Sequence, residues 1–251
     1  MNAKKLSFLL LILVAVACTN RSTSSEQDEM RHWNNVLQQI NALLLENKAR
    51  QTLDLAKQTL PEILESAEKN GTTDTLIYYA RKIFNACGNN YINTKQYKDG
   101  IDYMDSIGNH PLIREHCPHE LLSFKAGLNQ LYGNNPEAVR LAEDYLQLPV
   151  CTSANDFIRQ AEIISGVYMY SGNNLPKAIQ ILEKAIDVYR KGGNFPNMLR
   201  IMSRLGIYYH LSGEYEKAIA TNQEAIATYN DSIAPGNVVI AYGEQANLYA
   251  E

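Results

Sequence analysis

The amino-acid sequence predicts an all-α protein, specifically an α-solenoid of stacked antiparallel helical hairpins. Small residues and tyrosines recur at an interval of 40 residues, as in Ala138, Ala178 and Ala218, in Ala185 and Ala225, and in Tyr189 and Tyr229. A second series follows nearly the same interval, with Ala126, Ser165, Gly206 and Ala246. A fixed period of roughly 20–50 residues is typical of repeat architectures, in which each unit packs only against its neighbours.

The clearest unit runs from Asn197 to Asn230 and predicts two helices. Apolar residues recur at helical spacing as far as Leu211. Ser212-Gly213 then ends the first helix, because glycine accepts the positive φ of a helix C-terminus. A second helix is predicted from about Glu214 to Tyr229.

This unit resembles the tetratricopeptide repeat. The signature positions of that family are occupied, in order, by Leu205, Gly206, Tyr209, Gly213, Tyr215, Ala218, Ala225 and Tyr229. In this interpretation Gly206 and Ala218 face each other where the two helices cross, and a larger side chain would force the helices apart. Similar units are predicted at about 156–191 and 118–148, and a degenerate one contains Gly88, Tyr91, Tyr97, Gly100 and Ile107.

The repeat units and the residues that precede them divide the chain into four predicted segments. They are a lipoprotein signal peptide (1–17), a disordered tether (18–27), an N-terminal helical pair that caps the array (28–72) and repeats of the tetratricopeptide type (73–251). The last repeat is incomplete, because a first helix is predicted just before Glu251 without its partner. An uncovered hairpin face is unfavourable in a repeat array, so we expect a longer protein or another chain that covers this helix.

The N-terminus has the pattern of an export signal. Lys4 and Lys5 precede an apolar run, residues 6–17, that is too short to span a membrane. Ala15-Val16-Ala17-Cys18 resembles the bacterial lipobox, although alanine stands where the stronger motif has leucine. That resemblance implies a lipid on Cys18 and a location in the bacterial cell envelope, at the outer membrane or the periplasmic face. The alternative is an ordinary secretory signal in which Cys18 occurs by chance.

Composition and cysteine content narrow the function classes. A net charge of −4 and a pI near 5.8 argue against nucleic-acid binding. Cys117 and Cys151 both precede first helices of predicted hairpins, so they either approach each other or remain free thiols. Cys87 lies in a helical pattern and is predicted to be a small buried residue.

No motif supports an enzyme, a cofactor or a metal. The sequence lacks HExxH, GxSxG, CxxC and a phosphate-binding glycine loop. Ser66 and Lys69 have the spacing of a serine activated by lysine, but the companion elements are missing and Ser66 is predicted to lie at the surface. Ligand-type residues also occur close together at His110, His116, Cys117 and His119, yet their spacing favours a solvated loop over a zinc site.

The resemblance also implies a binding face. In this family the first helices line a concave surface, and the register assigns a mainly polar set of residues to it: Lys82, Asn85, Asn89, Asn93, Glu120, Ser123, Gln130, Arg159, Glu162, Met169, Tyr170, Arg200, Ser203, Ile207 and His210. Amides in this set can pair with an extended peptide backbone. The family's carboxylate clamp is not reproduced, because Glu162 and Gly166 stand where a second basic residue would help. The alternative is that these residues are only the hydrated face of a solenoid.

The sequence therefore predicts a lipid-anchored scaffold of the cell envelope that binds a protein or peptide partner. An alternative is the N-terminal part of a signalling protein, followed by a membrane span and a kinase or DNA-binding output domain. Glycan capture is a third possibility, but it uses long loops with stacked aromatic residues, and here the one tryptophan, Trp33, lies near the tether.

Overall fold

The computed structural model describes residues 28–149, 154–192 and 198–228, and the regular secondary structure within these ranges is entirely helical. The predicted all-α solenoid is confirmed. The helices are α1 (28–45), α2 (Ala49–Asn70), α3 (Asp74–Asn93), α4 (Tyr97–Ile107), α5 (Pro111–His116), α6 (Pro118–Tyr132), α7 (Asn135–Gln147), α8 (Ala154–Tyr170), α9 (Leu175–Arg190), α10 (Met198–Leu211) and α11 (Tyr215–Thr228). The chain divides into two compact units, Met1–Asn90 and Tyr91–Glu251.

The first unit contains α1, α2 and most of α3. Trp33, Val36 and Ile40 are buried on α1 at spacings of three and four residues, which places them on one face of the helix. α2 buries a longer apolar series at the same spacing, namely Leu53, Ala56, Leu60, Ile63, Leu64 and Ala67. The two helices therefore form because each has an apolar stripe that is removed from water. The capping role of this pair stays a prediction.

The described residues of the second unit form three hairpins, α6–α7, α8–α9 and α10–α11, preceded by α4 and α5. We call α6, α8 and α10 the first helices, and α7, α9 and α11 the second helices. Successive hairpins stack, since α6 packs against α8 and α9 packs against α10. This arrangement is the one that the repeat interval predicts.

The periodic small residues lie at the centre of the stacked hairpins. Seven of those that the structure describes have 0% exposure, and Gly206 is also buried. The seven are Ala126, Ala138, Ser165, Ala178, Ala185, Ala218 and Ala225. Tyr168 and Tyr209, at the tyrosine position of the first helices, are also buried. Ala246 and Tyr229 lie outside the described residues. Small side chains allow close packing of helices, so their recurrence fixes where the helices meet.

The helix ends follow local backbone chemistry. Gly133 and Gly213 adopt φ values of 95° and 80° after α6 and α10, where a residue with a Cβ would be strained. Pro118 and Pro136 occupy the first turns of α6 and α7, where the missing amide hydrogen of proline costs no helical hydrogen bond. α9 begins after Asn174, whose side chain accepts a hydrogen bond from the Lys177 backbone amide.

Two local expectations were wrong. The segment after His110 is not a solvated loop, because Pro111–His116 forms α5 and buries Leu112 and Ile113. The contact with Ala218 does not explain why residue 206 is a glycine. If residue 206 had a Cβ atom, the three atoms nearest to it would all belong to Asn222, one turn further along α11. Asn222 occupies a fully buried position, so the close approach of α10 and α11 is centred on an amide.

Candidate functional site

A carboxylate held between two guanidinium groups joins the first helices α8 and α10. Arg200 Nη2 lies 2.6 Å from Glu162 Oε2, and Arg204 Nη2 lies 3.2 Å from Oε1. Arg204 Nη1 also donates to the backbone oxygen of Glu162 at 3.2 Å. The Glu162 side chain is 11% exposed, whereas Arg200 and Arg204 are 47% and 33% exposed. We call these three residues the Glu162 cluster.

The Glu162 cluster has a surplus of positive charge that faces solvent. One carboxylate balances one of the two guanidinium groups, and each guanidinium has five donor hydrogens in a planar arrangement. The pairing with Glu162 uses only some of these donors. The remaining donors are accessible, so the cluster can bind a further carboxylate.

Beside this cluster, Gly166 leaves an open point on α8, that is, a place on the helix surface that no side chain of α8 covers. A Cβ at Gly166 would lie 3.8 Å from Gln130 Oε1 and 4.0 Å from Arg204 Nη1. Side chains from α6 and α10 therefore reach over α8 at the position that carries no side chain. Close by, burial raises the pKa of Tyr208 to about 12.

The residues assigned to the binding face from the sequence divide by accessibility. Exposed or partly exposed are Lys82, Asn89, Asn93, Gln130, Arg159, Met169, Tyr170, Arg200, Ile207 and His210. Buried are Asn85, Glu120, Ser123, Glu162 and Ser203. Lys82, Asn85 and Asn89 belong to the first unit, and the others belong to the second. Peptide contact by the accessible residues stays a prediction.

Two serines assigned to that face lie in the core. The Ser123 hydroxyl donates to the Glu120 backbone oxygen at 3.0 Å, and the Ser203 hydroxyl donates to the Leu199 backbone oxygen at 2.8 Å. Their exposures are 0% and 2%. The prediction that these two side chains contact a surface ligand is therefore wrong. Their size suits places where neighbouring helices pack closely.

The sequence assignment did not include Arg204. It lies four residues after Arg200, so the two side chains share one face of α10. Helical spacing from Arg200 was the signal that could have found it. Its contact with Glu162 depends on how the α8–α9 and α10–α11 hairpins stack, which the sequence of either hairpin alone does not define.

The histidine and cysteine residues near α5 are engaged in local structure. His110 Nδ1 accepts from the Leu112 backbone amide, and His119 Nε2 lies 2.7 Å from the Pro149 backbone oxygen. Cys117 is buried at the start of α6, and Cys87 is buried as predicted. Cys151 lies outside the described residues. Within the described ranges, no group of three His, Cys, Asp or Glu side chains is placed to hold a metal ion.

The predicted surface position of Ser66 is wrong. Ser66 is 8% exposed, its hydroxyl donates to Glu29 of α1, and the Asn70 side chain donates to Ser66. Lys69 Nζ lies 2.6 Å from Glu65 Oε1. Lys69 is thus paired with a carboxylate, and Ser66 joins α1 to α2.

The fold and the buried small residues define the class as an α-helical repeat protein. Residues 161–231 match the family described as tetratricopeptide repeat. Those residues cover most of α8 and all of α9, α10 and α11, so the match lies in the part of the chain where the repeat signature is clearest. Members of the family generally bind protein partners and act as scaffolds rather than enzymes.

Solved structures share this fold at low sequence identity. The crystal structure of BtubC (BKLC) from P. vanneervenii has a TM-score of 0.62 and 10% identity, and the match covers 80% of this chain and 83% of that one. A crystal structure of nearly identical TPR-like repeats, named for a Podosopora anserina kinesin light chain, has a TM-score of 0.50 and 12% identity. That match covers 77% of this chain and 92% of the other. No curated protein sequence is significantly similar to this chain.

Proposed function

We propose that this protein is a lipid-anchored scaffold of the bacterial cell envelope that binds a protein or peptide through the face of its first helices. The observation that carries the binding part is the Glu162 cluster. It places accessible guanidinium donors on the face that is concave in this family, beside the open point at Gly166. A solenoid that only had to stack would not need two arginines around one carboxylate.

The binding proposal is tested by capture of partners from intact envelopes after cross-linking to the tagged full chain. A neutral variant, Glu162→Gln with Arg200→Gln and Arg204→Gln, removes the charges without leaving a buried carboxylate unpaired. We expect it to lose the partners that the unaltered chain captures, while its circular dichroism spectrum and unfolding midpoint stay close to those of the unaltered chain.

A matched control lies on the second helix α7. There Arg140 pairs with Glu137 and Asp144 at 2.7 and 2.6 Å. The neutral variant Glu137→Gln, Arg140→Gln and Asp144→Asn changes the same number of charged groups on α7, and we expect it to keep the partners. Equal capture by both neutral variants, or no specific capture by the unaltered chain, would contradict the proposal.

The anchor rests on Cys18 and the apolar residues before it, which lie outside the described residues. In the described part of the chain, no helix has both the length and the apolar character needed to cross a membrane. We expect an alkyne-labelled fatty acid to be incorporated into the unaltered chain and not into Cys18→Ser. Unlabelled wild-type protein would contradict lipid attachment and leave the binding proposal to its own test.

A further inference from the structure

The same three types of residue meet at two successive joints between hairpins of the second unit. Each joint combines a tyrosine of a first helix, a lysine near the start of the following second helix and a glutamate of the preceding second helix. The two sets recur at the repeat interval and are Tyr168, Lys177 and Glu143, and Tyr209, Lys217 and Glu183. In both sets the lysine Nζ lies over the tyrosine ring, 4.5 Å from the ring centre in the first and 5.3 Å in the second. We call them the Glu143 joint and the Glu183 joint.

The carboxylates of the two joints are neutralised differently. In the Glu143 joint, Lys177 Nζ lies 2.6 and 2.8 Å from the two carboxylate oxygens. In the Glu183 joint, Lys217 Nζ pairs instead with Glu214 of its own hairpin. Glu183 accepts a hydrogen bond from the Tyr209 hydroxyl. Within the described residues, no ammonium or guanidinium group forms an ion pair with Glu183, and Lys217 acts on it only from a longer distance.

A cavity of about 240 Å³ lies beside Glu183 and Tyr209, between α9, α10 and α11. Its lining includes Glu183, Ile186, Asp187, Arg190, Leu205 and Tyr209. We call it the Glu183 cavity. It is smaller than the roughly 300–1,000 Å³ of pockets for drug-sized ligands, so it suits a small chemical group. One wall is apolar, because Ile186 and Leu205 are buried.

Negative charge exceeds positive charge around the Glu183 cavity. Arg190 is paired twice, since its Nε donates to Glu224 at 3.0 Å and its Nη1 lies 3.4 Å from Asp187. The three carboxylates of Glu183, Asp187 and Glu224 therefore surround one guanidinium. Tyr209 is 6% exposed, and its hydroxyl oxygen can still accept a hydrogen bond after donating to Glu183. The cavity therefore favours a cation that donates hydrogen bonds.

We propose that the Glu183 cavity binds a protonated primary amine carried by a short aliphatic chain. The ammonium group donates hydrogen bonds to the Glu183 carboxylate and to the Tyr209 oxygen. In the Glu143 joint, Lys177 supplies the equivalent ammonium from within the chain, so the fold already contains an example of this contact. The ligand completes in the second joint what Lys177 completes in the first.

The rest of the ligand is defined by the apolar wall of the cavity. Its methylene groups pack on Ile186 and Leu205, as the aliphatic stem of a lysine packs on apolar surface. A free alkyl amine and a lysine side chain of another protein share this chemistry, and the experiment separates them. The Glu183 cavity has no residue in common with the Glu162 cluster, so this inference is independent of the proposed function.

Saturation-transfer difference NMR of the full chain in detergent measures the binding, with detergent alone as the blank. The probe is Nα-acetyl-lysine methylamide, and its Nε-acetylated form has the same chain without the positive charge. We expect the probe to bind roughly tenfold or more tightly than the acetylated form, because only the probe makes charge-assisted hydrogen bonds. Cadaverine is titrated separately. Tighter binding of this diamine assigns the cavity to a free amine, and tighter binding of the probe assigns it to a lysine side chain.

Two matched variants and a blocking variant localise the binding. Glu183→Gln keeps an acceptor for the Tyr209 hydroxyl but removes the charge, and it should weaken binding of the probe roughly tenfold or more. Glu143→Gln is the same change at the equivalent position, where Lys177 already holds the carboxylate, and it should leave the affinity unchanged. Thr221→Lys introduces an ammonium at the lining of the cavity and should abolish binding.

Several results would overturn the inference. Equal binding of the probe and its acetylated form, an unchanged affinity in Glu183→Gln, or equal losses in Glu183→Gln and Glu143→Gln would each do so. Circular dichroism checks that the variants are folded. If Glu183→Gln is unfolded, Thr221→Lys decides the question, since retained binding in that variant contradicts occupation of the cavity. Partner capture by the neutral Glu162 variant is measured separately, so failure of this inference leaves the proposed function to its own test.

Discussion

Successive repeats are joined by ion pairs on both sides of the hairpins, and the two sides differ. Between second helices, Lys177 Nζ lies 2.6 and 2.8 Å from the two carboxylate oxygens of Glu143, and Arg190 Nε donates to Glu224 at 3.0 Å. Between the first helices α8 and α10, the Glu162 cluster makes the connection. The second-helix pairs each join residues 34 positions apart, which is the usual length of this repeat.

Burial of the carboxylate separates the two sides. The side chains of Glu143 and Glu224 are 46% and 38% exposed, against 11% for Glu162. Exposed pairs contribute roughly 0–1 kcal/mol, whereas a buried carboxylate destabilises the fold strongly if its partners are removed. The second-helix pairs are therefore minor connections between repeats. The Glu162 cluster is both a structural requirement and a source of accessible positive charge.

The largest expected effect is removal of the partners of Glu162. Replacing Arg200 and Arg204 together by methionine leaves a poorly hydrated carboxylate unpaired, and we expect a loss of about 2 kcal/mol in the free energy of unfolding. That value lies below the range for full burial because both guanidinium groups are partly exposed. Urea unfolding at neutral pH measures it.

A third substitution in the same background supplies the control. Adding Glu162→Met should recover most of the loss, because a neutral side chain needs no ionic partner. If the arginine double variant is as stable as the unaltered chain, the carboxylate is sufficiently hydrated and the distinction between the two sides fails.

A somewhat smaller effect is expected where a first and a second helix meet. A methyl group at Gly206 would contact the buried side chain of Asn222. Overpacking costs about 1–3 kcal/mol, and the better helix propensity of alanine returns up to about 1. We therefore expect Gly206→Ala to destabilise the protein by about 1–2 kcal/mol, as measured by urea unfolding. In the Asn222→Ala background the same change should be neutral or stabilising, and an equal loss in both backgrounds would contradict this contact.

The parts of the structure that the sequence predicted depend on local periodicity. Ala178 and Ala218 were recognised because the same hairpin recurs, and burial of a small residue repeats with it. Arg204 was missed because its contact with Glu162 depends on how the α10–α11 hairpin stacks on the α8–α9 hairpin. Ser66 was misplaced for the same kind of reason, since its burial comes from α1 in a region with little repeat signature.

A substitution of Asn222 is expected to stabilise the protein, in contrast to the destabilising changes above. Neither amide atom of this fully buried side chain has a hydrogen-bond partner in the structure, and each unsatisfied buried polar group is unfavourable. Leucine has the same branched arrangement of side-chain heavy atoms and no polar atoms, so we expect Asn222→Leu to stabilise the protein by about 1 kcal/mol in urea unfolding. A destabilised variant would show that the amide makes a favourable interaction within the hairpin.

The smallest expected change in stability comes from the ion pair between Glu143 and Lys177 on the second helices. Its contribution can be separated from others by varying the pH. The hydrogen bond from Lys177 is the main cause that holds the pKa of Glu143 below its ordinary value of 4.5. A carboxyl with a lowered pKa stabilises the fold above its unfolded-state pKa and loses that contribution as pH falls through the folded-state value. We therefore expect Glu143→Gln to cost no more than about 0.5 kcal/mol at pH 7, and the difference from the unaltered chain to shrink as pH falls below 4.5. A loss at pH 7 as large as that of the arginine double variant would mean that the two sides of the hairpins contribute equally to stacking.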